Sequence, residues 1–291
     1  MTFPLPEPNI STLHFQRVLD QIRDLPALPA IVQDLMKSIG PDDDDINIIT
    51  RKVMLDQALA AKTLRFANSS FYGVQAKVTT IQQAITLIGV DSVRHVVTAN
   101  ALTGYFPSSS SAGLNFIAIW RHAIATAVCA RVLARHLHVN QDYAFTAGLL
   151  HDIGRLLLIT YFRREYDAVI AYRKLHDCQW LDAEQAIMGI DHAMAGEALA
   201  GHWNFSDTIR HAIAGHHKPE GQKSNSLASI VHIANAIVHA LDLSGQEDDL
   251  VPPVSSGAWE GLGLSEEVYL QVFHETELQF DEVSRVLLAE K

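Results

Sequence analysis

Residues 149–154 read Leu-Leu-His-Asp-Ile-Gly and place His151 beside Asp152 where a helix that starts near residue 142 is expected to end. Neighbouring helical residues lie about 100° apart around the axis, so both side chains reach one ion only if the helix ends here. Imidazole nitrogen and carboxylate oxygen are the ligands that divalent transition metals prefer. We expect Gly154 to permit a sharp turn. The stretch therefore predicts a metal site at a helix end; the alternative is a helix-end histidine beside a capping or ion-paired aspartate.

Further histidines could complete such a site. The chain has 15 histidines among 291 residues. His216 and His217 form a second doublet, and His122 and His192 stand alone. Because a carboxylate has two oxygens, Asp152 could bridge two ions, which would polarise a phosphate and supply hydroxide at neutral pH.

Composition restricts the class of protein. The length fits one large or two moderate domains, and 48% of the residues are apolar. No uncharged apolar run reaches 18 residues and no basic, apolar leader opens the chain, so we expect neither a membrane span nor an export signal. Two cysteines, Cys129 and Cys178, cannot build a disulfide framework, which favours a reducing cytoplasm.

The charge balance disfavours one class of partner. The net charge is −11, and no cluster of Lys and Arg offsets it, so direct binding to nucleic acid is not expected. The run Asp42–Asp45 predicts a solvated loop that caps the next helix. A calcium site there is the weaker alternative, because the spaced oxygen ligands and the turn glycine of a calcium loop are missing.

Helical periodicity predicts an all-α fold. Apolar residues recur every three or four positions almost throughout, and no segment alternates with period two. We expect five or more helices before residue 106, one of them over 31–39 and one that stops at Gly89. The segment 107–113 (Pro-Ser-Ser-Ser-Ser-Ala-Gly) predicts a flexible connector. The expected organisation is thus two helical lobes, 1–112 and 113–291, of which the second carries the candidate site.

The end of the second lobe is predicted as a helix over 226–241, a loop over 244–263 and a final helix from Ser265. Asn235 lies near the buried face of the first of these helices. A buried polar side chain needs a partner, so Asn235 is a further candidate residue.

These residues in order resemble the HD superfamily of metal-dependent phosphohydrolases. Its pattern is a His, a His-Asp pair and a distant Asp, all on helices. His122 matches the first position, His151 and Asp152 match the pair, and Asn235 stands where the distant Asp is expected.

The two-metal version of the superfamily has further histidines, and His192, His216 and His217 match them. Arg155 matches a phosphate-contacting Lys of the cyclic-dinucleotide phosphodiesterases. Their Gly-Tyr-Pro signature is absent, because Lys-Pro-Glu follows His217.

The amino-terminal half is similar to one branch of the superfamily. Residues 25–29 (Leu-Pro-Ala-Leu-Pro), 64–69 (Leu-Arg-Phe-Ala-Asn-Ser), 71–73 (Phe-Tyr-Gly), 81–85 and 87–89 resemble the HDOD branch, the HD-related output domain of bacterial signalling proteins. The resemblance covers roughly residues 15 to 240. It implies an all-helical protein whose second lobe is an HD-like bundle. Many members lack the metal ligands and are non-catalytic regulatory modules.

Two functions follow from the resemblance. The first is a regulatory output module with an HD-like centre for one or two divalent transition-metal ions (Fe, Mn, Ni or Zn). It would bind a signalling protein or a small phosphorylated ligand, and it is favoured because the neutral amide of Asn235 replaces a carboxylate. The second is a metal-dependent phosphohydrolase acting on a nucleotide or phosphodiester, in which Asp152 bridges the ions and Arg155 neutralises phosphate charge.

Overall fold

The computed structural model describes residues 15–25, 28, 46–55, 57–68, 77–106, 115–220, 226–246 and 249–288, and these residues form helices with no strand. The all-α fold class is confirmed. The predicted helix 31–39, the aspartates 42–45, the Phe-Tyr-Gly motif 71–73 and the connector 107–113 lie outside the described residues. The lobe boundary at 112/113 therefore stays a prediction.

Four helices of the amino-terminal half are described. They are α1 (Phe15–Arg23), α2 (Ile46–Met54), α3 (Gln57–Ala67) and α4 (Ile81–Tyr105). Thr80 begins α4 with a capping box, since its hydroxyl accepts a bond from the Gln83 backbone and the Gln83 side chain bonds back to the Thr80 backbone. Gly89 breaks α4 as predicted, with φ +80° and ψ 159°, but the chain resumes a helix directly.

Ten helices follow. They are α5 (Phe116–His136), α6 (Gln141–Leu150), α7 (Ile153–Tyr161), α8 (Arg163–His176), α9 (Trp180–Met188), α10 (His192–His202), α11 (Asp207–Gly215), α12 (Leu227–Ala240), α13 (Ser256–Gly261) and α14 (Glu266–Leu287). Ser265 caps α14, as expected for its start. The predicted loop 244–263 is wrong in part, because α13 forms within it and is capped by Ser255.

Helix α5 is the centre of the bundle. It packs against α6, α12 and α14, and α14 also contacts α3 and α4. By length and composition α5 could cross a membrane, yet 83% of its most apolar window is buried by other helices, which is the pattern of a core helix. Through these contacts α5 positions α6, whose end carries His151, and α12, which carries Asn235.

Candidate metal centre

Helix ends deliver most of the candidate side chains. His151 ends α6 and Asp152 stands between α6 and α7, while His192 begins α10 and His216 ends α11. His122 comes from the middle of α5. All five side chains are buried.

Three imidazoles surround one carboxylate oxygen. Oδ1 of Asp152 lies 3.2 Å from Nε2 of His192, 3.4 Å from Nε2 of His151 and 3.6 Å from Nε2 of His216. The Asp152 side chain makes no capping hydrogen bond to α7. Its contacts are therefore those of a ligand cluster rather than of a helix cap.

The outer nitrogen of each of these imidazoles is already committed. Nδ1 of His151 donates to the carbonyl of Gly148 at 2.7 Å, and Nδ1 of His216 donates to the carbonyl of Ile213 at 2.7 Å. Nδ1 of His192 lies 2.6 Å from a carboxylate oxygen of Glu184. A neutral imidazole with Nδ1–H so bonded presents the lone pair of Nε2. Three Nε2 atoms thus converge on Oδ1 of Asp152.

The remaining predicted ligands extend the cluster on both sides. Nε2 of His122 lies 3.1 Å from Nε2 of His151, and Nε2 of His217 lies 2.7 Å from Nε2 of His192. Asn235 is buried on α12, and its Oδ1 has no hydrogen-bond partner among the described residues.

The ligand atoms fall into two groups that share the aspartate. Within each group all ligand atoms lie within 4.8 Å of one another: His122, His151 and Asp152 in one group, and Asp152, His192, His216 and His217 in the other. The structure therefore brings together the histidines and the aspartate that the sequence singled out.

The donor set fits divalent ions. Two ligand atoms that each lie about 2.0–2.2 Å from one ion are roughly 3–3.5 Å apart. The distances from Asp152 to His151 and His192 and the distance between His122 and His151 are in this range. Acceptors crowded this closely repel one another unless a proton or a cation lies between them. Within the part of the chain that the structure describes, buried Nε2 of His216 has no hydrogen-bond partner, which is the state expected of a ligand atom.

Gly154 matters for packing and not for a turn. It lies inside α7 without a positive φ, so the prediction of a sharp turn there is wrong. A Cβ on this residue would stand 2.0 Å from the carbonyl oxygen of His192 and 2.4 Å from the backbone nitrogen of Gly196. The missing side chain allows α7 and α10 to touch, and this contact holds Asp152 against His192.

Burial and mutual repulsion keep most of the imidazoles neutral. Burial lowers the pKa of His151 to about 4, and burial together with neighbouring histidines holds the pKa of His122 and His217 well below the ordinary value. Burial also opposes the charge of Asp152, but the surrounding imidazoles outweigh it and hold the pKa of this carboxyl well below its usual range. Asp152 is therefore a carboxylate, and His122, His151 and His217 are neutral, which is the protonation state that a metal ion requires of these groups.

His192 behaves differently. Burial lowers its pKa, but the adjacent carboxylates of Glu184 and Asp152 outweigh burial and raise the pKa to about 9. Without a metal ion, His192 thus holds a proton that an ion must displace.

A pocket of about 270 Å³ opens beside the cluster. Arg155 lies in its wall, where Nε donates to the hydroxyl of Tyr166 at 3.1 Å and the guanidinium stacks 4.0 Å from the ring of Trp180. Nη2 of Arg155 is buried, and none of the described residues forms a hydrogen bond with it. Asp152, Asn235 and Lys218 line the same pocket. The pocket combines a metal-ligand cluster with a guanidinium whose Nη2 has no acceptor among the described residues.

The family is decided by a match along most of the chain. The HDOD domain family matches residues 25–219. The chain belongs to the HDOD family. Solved HDOD-like structures share its fold, and the predicted resemblance is confirmed.

Two solved structures illustrate the shared fold. An HDOD domain protein of unknown function from Geobacter sulfurreducens has a TM-score of 0.77 and 22% sequence identity, with 95% of this chain and 99% of that chain covered. A candidate phosphohydrolase from Shewanella amazonensis SB2B has a TM-score of 0.74 and 24% identity, with 93% and 97% covered. At these identities the likeness concerns the fold alone.

Curated relatives are longer than this HDOD chain. An uncharacterized protein of Treponema pallidum (strain Nichols) is 24% identical over 234 residues, which are 77% of this chain but 44% of the relative. Ribonuclease Y of Lawsonia intracellularis (strain PHE/MN1-00) is 28% identical over 119 residues, which are 41% of this chain and 18% of that protein. The chain thus spans less than half the length of either relative.

Sequence reasoning missed the residues that support the HDOD cluster. Glu184 is fully buried and holds His192, but nothing in its local sequence distinguishes it from a surface acid of α9. His239 lines the pocket. Its position four residues after Asn235, on the same face of α12, was a signal that could have found it.

Proposed function

We propose that this HDOD protein is a regulatory module of the bacterial cytoplasm that binds a small phosphorylated ligand at a divalent transition-metal centre. The observation that carries the proposal is the convergence of three imidazole Nε2 atoms on Oδ1 of Asp152. Such an arrangement is unfavourable without a cation and suits Fe, Mn, Ni or Zn.

The donor set would hold two ions. His122, His151, Asp152 and Asn235 would hold one ion, and Asp152 with His192, His216 and His217 would hold the other. When bound, such ions act as Lewis acids toward a phosphoryl oxygen. Asp152 serves both sites, since each group of ligand atoms includes it.

Arg155 supports a phosphorylated ligand. Its Nη2 is buried without a partner among the described residues, and a buried guanidinium donor without an acceptor is energetically costly. An anionic oxygen of a ligand would supply that acceptor. Tyr166 and Trp180 hold the rest of the side chain in place. A guanidinium fixed in this way matches the geometry of a phosphate better than a mobile ammonium does.

Asn235 favours regulation over efficient catalysis. The amide is neutral, and its oxygen is a poorer ligand for a hard cation than a carboxylate. The ion held by His122, His151 and Asp152 would therefore have a weakly binding amide oxygen in place of a second carboxylate. Weak occupancy of this site would limit turnover while still allowing a ligand to bind.

A metal-dependent phosphohydrolase acting on a nucleotide or phosphodiester is the second candidate. Two features favour it: Asp152 belongs to both groups of ligand atoms, and Asp152 and Arg155 line the same pocket. In this case Asp152 would orient the reacting centre and Arg155 would neutralise charge on the phosphoryl oxygens. The Shewanella structure of the same fold bears a phosphohydrolase name.

Metal analysis and hydrolysis assays separate the two candidates. Protein purified without chelator should contain a transition metal, and His151→Ala should reduce the content. With added Mn²⁺ or Fe²⁺, the wild type should bind phosphorylated ligands but hydrolyse nucleotides and phosphodiesters slowly or not at all. Rapid hydrolysis that His151→Ala abolishes would establish the phosphohydrolase instead. A gain of hydrolysis in Asn235→Asp would show that the amide limits turnover.

Nucleic acid is not part of the proposal. The net charge of −11 opposes a polyanion, although three of the curated relatives bear the name ribonuclease Y, with 18%, 24% and 18% of their length covered. A signalling protein remains a second kind of partner. Retention of labelled RNA by the protein at physiological salt would contradict this part of the proposal. The cytoplasmic location rests on two cysteines that are both free.

A further inference from the structure

His239 is a sixth imidazole beside the cluster of His122, His151, His192, His216 and His217. It lies on α12 one turn after Asn235, so both side chains are on one face of the helix, and both line the pocket. The side chain of His239 is 13% exposed. None of the roles described above uses it.

The nitrogens of His239 are arranged as in a metal-binding histidine. Nδ1 lies 2.8 Å from a carboxylate oxygen of Asp249, which leaves Nε2 without a committed partner. His192 is held in the same way, by the carboxylate of Glu184 at its own Nδ1. A carboxylate on the outer nitrogen fixes the ring and raises the basicity of the other nitrogen, which is the usual support for a metal ligand.

His232 shows what a purely structural histidine looks like in this protein. Its Nδ1 donates to the carbonyl of His216 at 2.7 Å, and its Nε2 accepts the backbone N–H of Ser255 at 2.9 Å. Both nitrogens are consumed, so the ring joins two segments and can bind nothing else. His239 lies on the same helix and has one nitrogen free of such a bond.

Ring spacing connects His239 to the cluster. Its ring centroid is 4.5 Å from that of His122. Ring pairs within the cluster are separated by similar distances, 5.1 Å for His122 with His151 and 4.8 Å for His192 with His217. His239 therefore continues the row of imidazoles at the end where His122 stands, beyond the atoms that lie within 4.8 Å of Asp152.

We propose that His239 is an additional ligand of the ion held by His122 and His151, and that Asp249 supplies through it the negative charge that Asn235 lacks. The inference rests on the proposed metal centre. It explains how a site with the amide of Asn235 in place of a carboxylate can retain its ion. The imidazole of His239, one helical turn away and hydrogen-bonded to the carboxylate of Asp249, replaces the missing anionic ligand.

Mn²⁺ alone is a suitable probe. Its binding is measured by isothermal titration calorimetry and by the electron paramagnetic resonance signal of the free ion. The wild type should bind two ions. His239→Ala should weaken one of the two sites roughly 10–100-fold and leave the other unchanged, and Asp249→Asn should weaken the same site by about tenfold. His211→Ala, an exposed histidine of α11, is the matched control and should bind as the wild type does.

A rescue variant distinguishes ligation from a packing role. Restoring the carboxylate with Asn235→Asp should return the affinity of the His239→Ala protein to within a few-fold of wild type. Circular dichroism verifies the fold of each variant. Wild-type affinity at both sites in His239→Ala, or a folded double variant without rescue, would overturn the role of His239. Failure of the wild type to bind Mn²⁺ would instead refute the metal centre itself.

Discussion

Glu184 accepts two hydrogen bonds from His192, one from the backbone N–H at 2.8 Å and one from Nδ1 at 2.6 Å. The other oxygen of Glu184 accepts from the hydroxyl of Tyr166 at 2.8 Å, and Tyr166 in turn accepts from Arg155. One buried carboxylate thus links a candidate metal ligand to the candidate phosphate contact. The two halves of the pocket are positioned by the same residue.

Removing the charge of Glu184 while keeping the shape of its side chain should weaken metal binding. We expect Glu184→Gln to lower Mn²⁺ affinity roughly 10–100-fold, because the amide orients His192 without raising the basicity of Nε2. Titration calorimetry measures the effect. Glu197→Gln, on an exposed acid of α10, is the control. Equal affinities in the two variants would show that Glu184 has no influence on the centre.

Adding one methyl group at Gly154 should separate α7 from α10. We expect Gly154→Ala to cost about 3 kcal/mol of unfolding free energy, at the upper end for overpacking, because its Cβ meets backbone atoms that cannot move alone. Urea unfolding tests this. Gly257→Ala is the matched control, since its Cβ would meet only the Ser255 hydroxyl at 3.8 Å. A Gly154→Ala protein as stable as the control would contradict the close packing.

Acid should destabilise the metal-free protein through its neutral imidazoles. The pKa of His151 is about 4 in the fold and about 6.5 in the unfolded chain. Its stabilising contribution is complete above pH 6.5 and is lost as the pH falls toward 4, by about 2 kcal/mol at about pH 5. His122 and His217 act in the same direction.

His192 has the opposite sign. Its pKa is raised to about 9, so its contribution is present below pH 6.5 and is lost as the pH rises toward 9. Thermal unfolding in EDTA between pH 4.5 and 9 gives stability as a function of pH, with an acid limb where stability falls at low pH and an alkaline limb where it falls at high pH. His151→Gln should flatten the acid limb and leave the alkaline limb in place. An acid limb that is unchanged in this variant would assign the effect to other groups.

The unpaired nitrogen of Arg155 should bind an oxyanion. We expect the Mn²⁺-loaded protein to bind inorganic phosphate, and Arg155→Lys to weaken this binding by about tenfold because an ammonium cannot replace a fixed guanidinium. Arg173→Lys is the control, since Arg173 also stacks on Trp180, 4.4 Å from the ring, but does not line the pocket. Equal losses in both variants would indicate an effect on Trp180 packing rather than on the anion.

Much of the site was predictable because its chemistry is rare in sequence. A His-Asp pair at a helix end and a His-His pair further on are uncommon, and the order of motifs around them pointed to one family. The helix over 226–241 and the cap at Ser265 were predictable for local reasons, since apolar periodicity and N-cap preference depend on neighbouring residues. The short helix α13 was not, because Pro252 and Pro253 and several Ser and Gly residues obscured it.

The sequence by itself determined the helical class, the family and the identity of the candidate ligands, because each depends on residue type, spacing and order. Only the tertiary structure decided which nitrogen of each histidine is free, and that Glu184 and Asp249 stand behind His192 and His239. It also showed why Gly154 has no side chain. These relationships join residues on different elements, and they arise from the packing of helix ends, which no local pattern encodes.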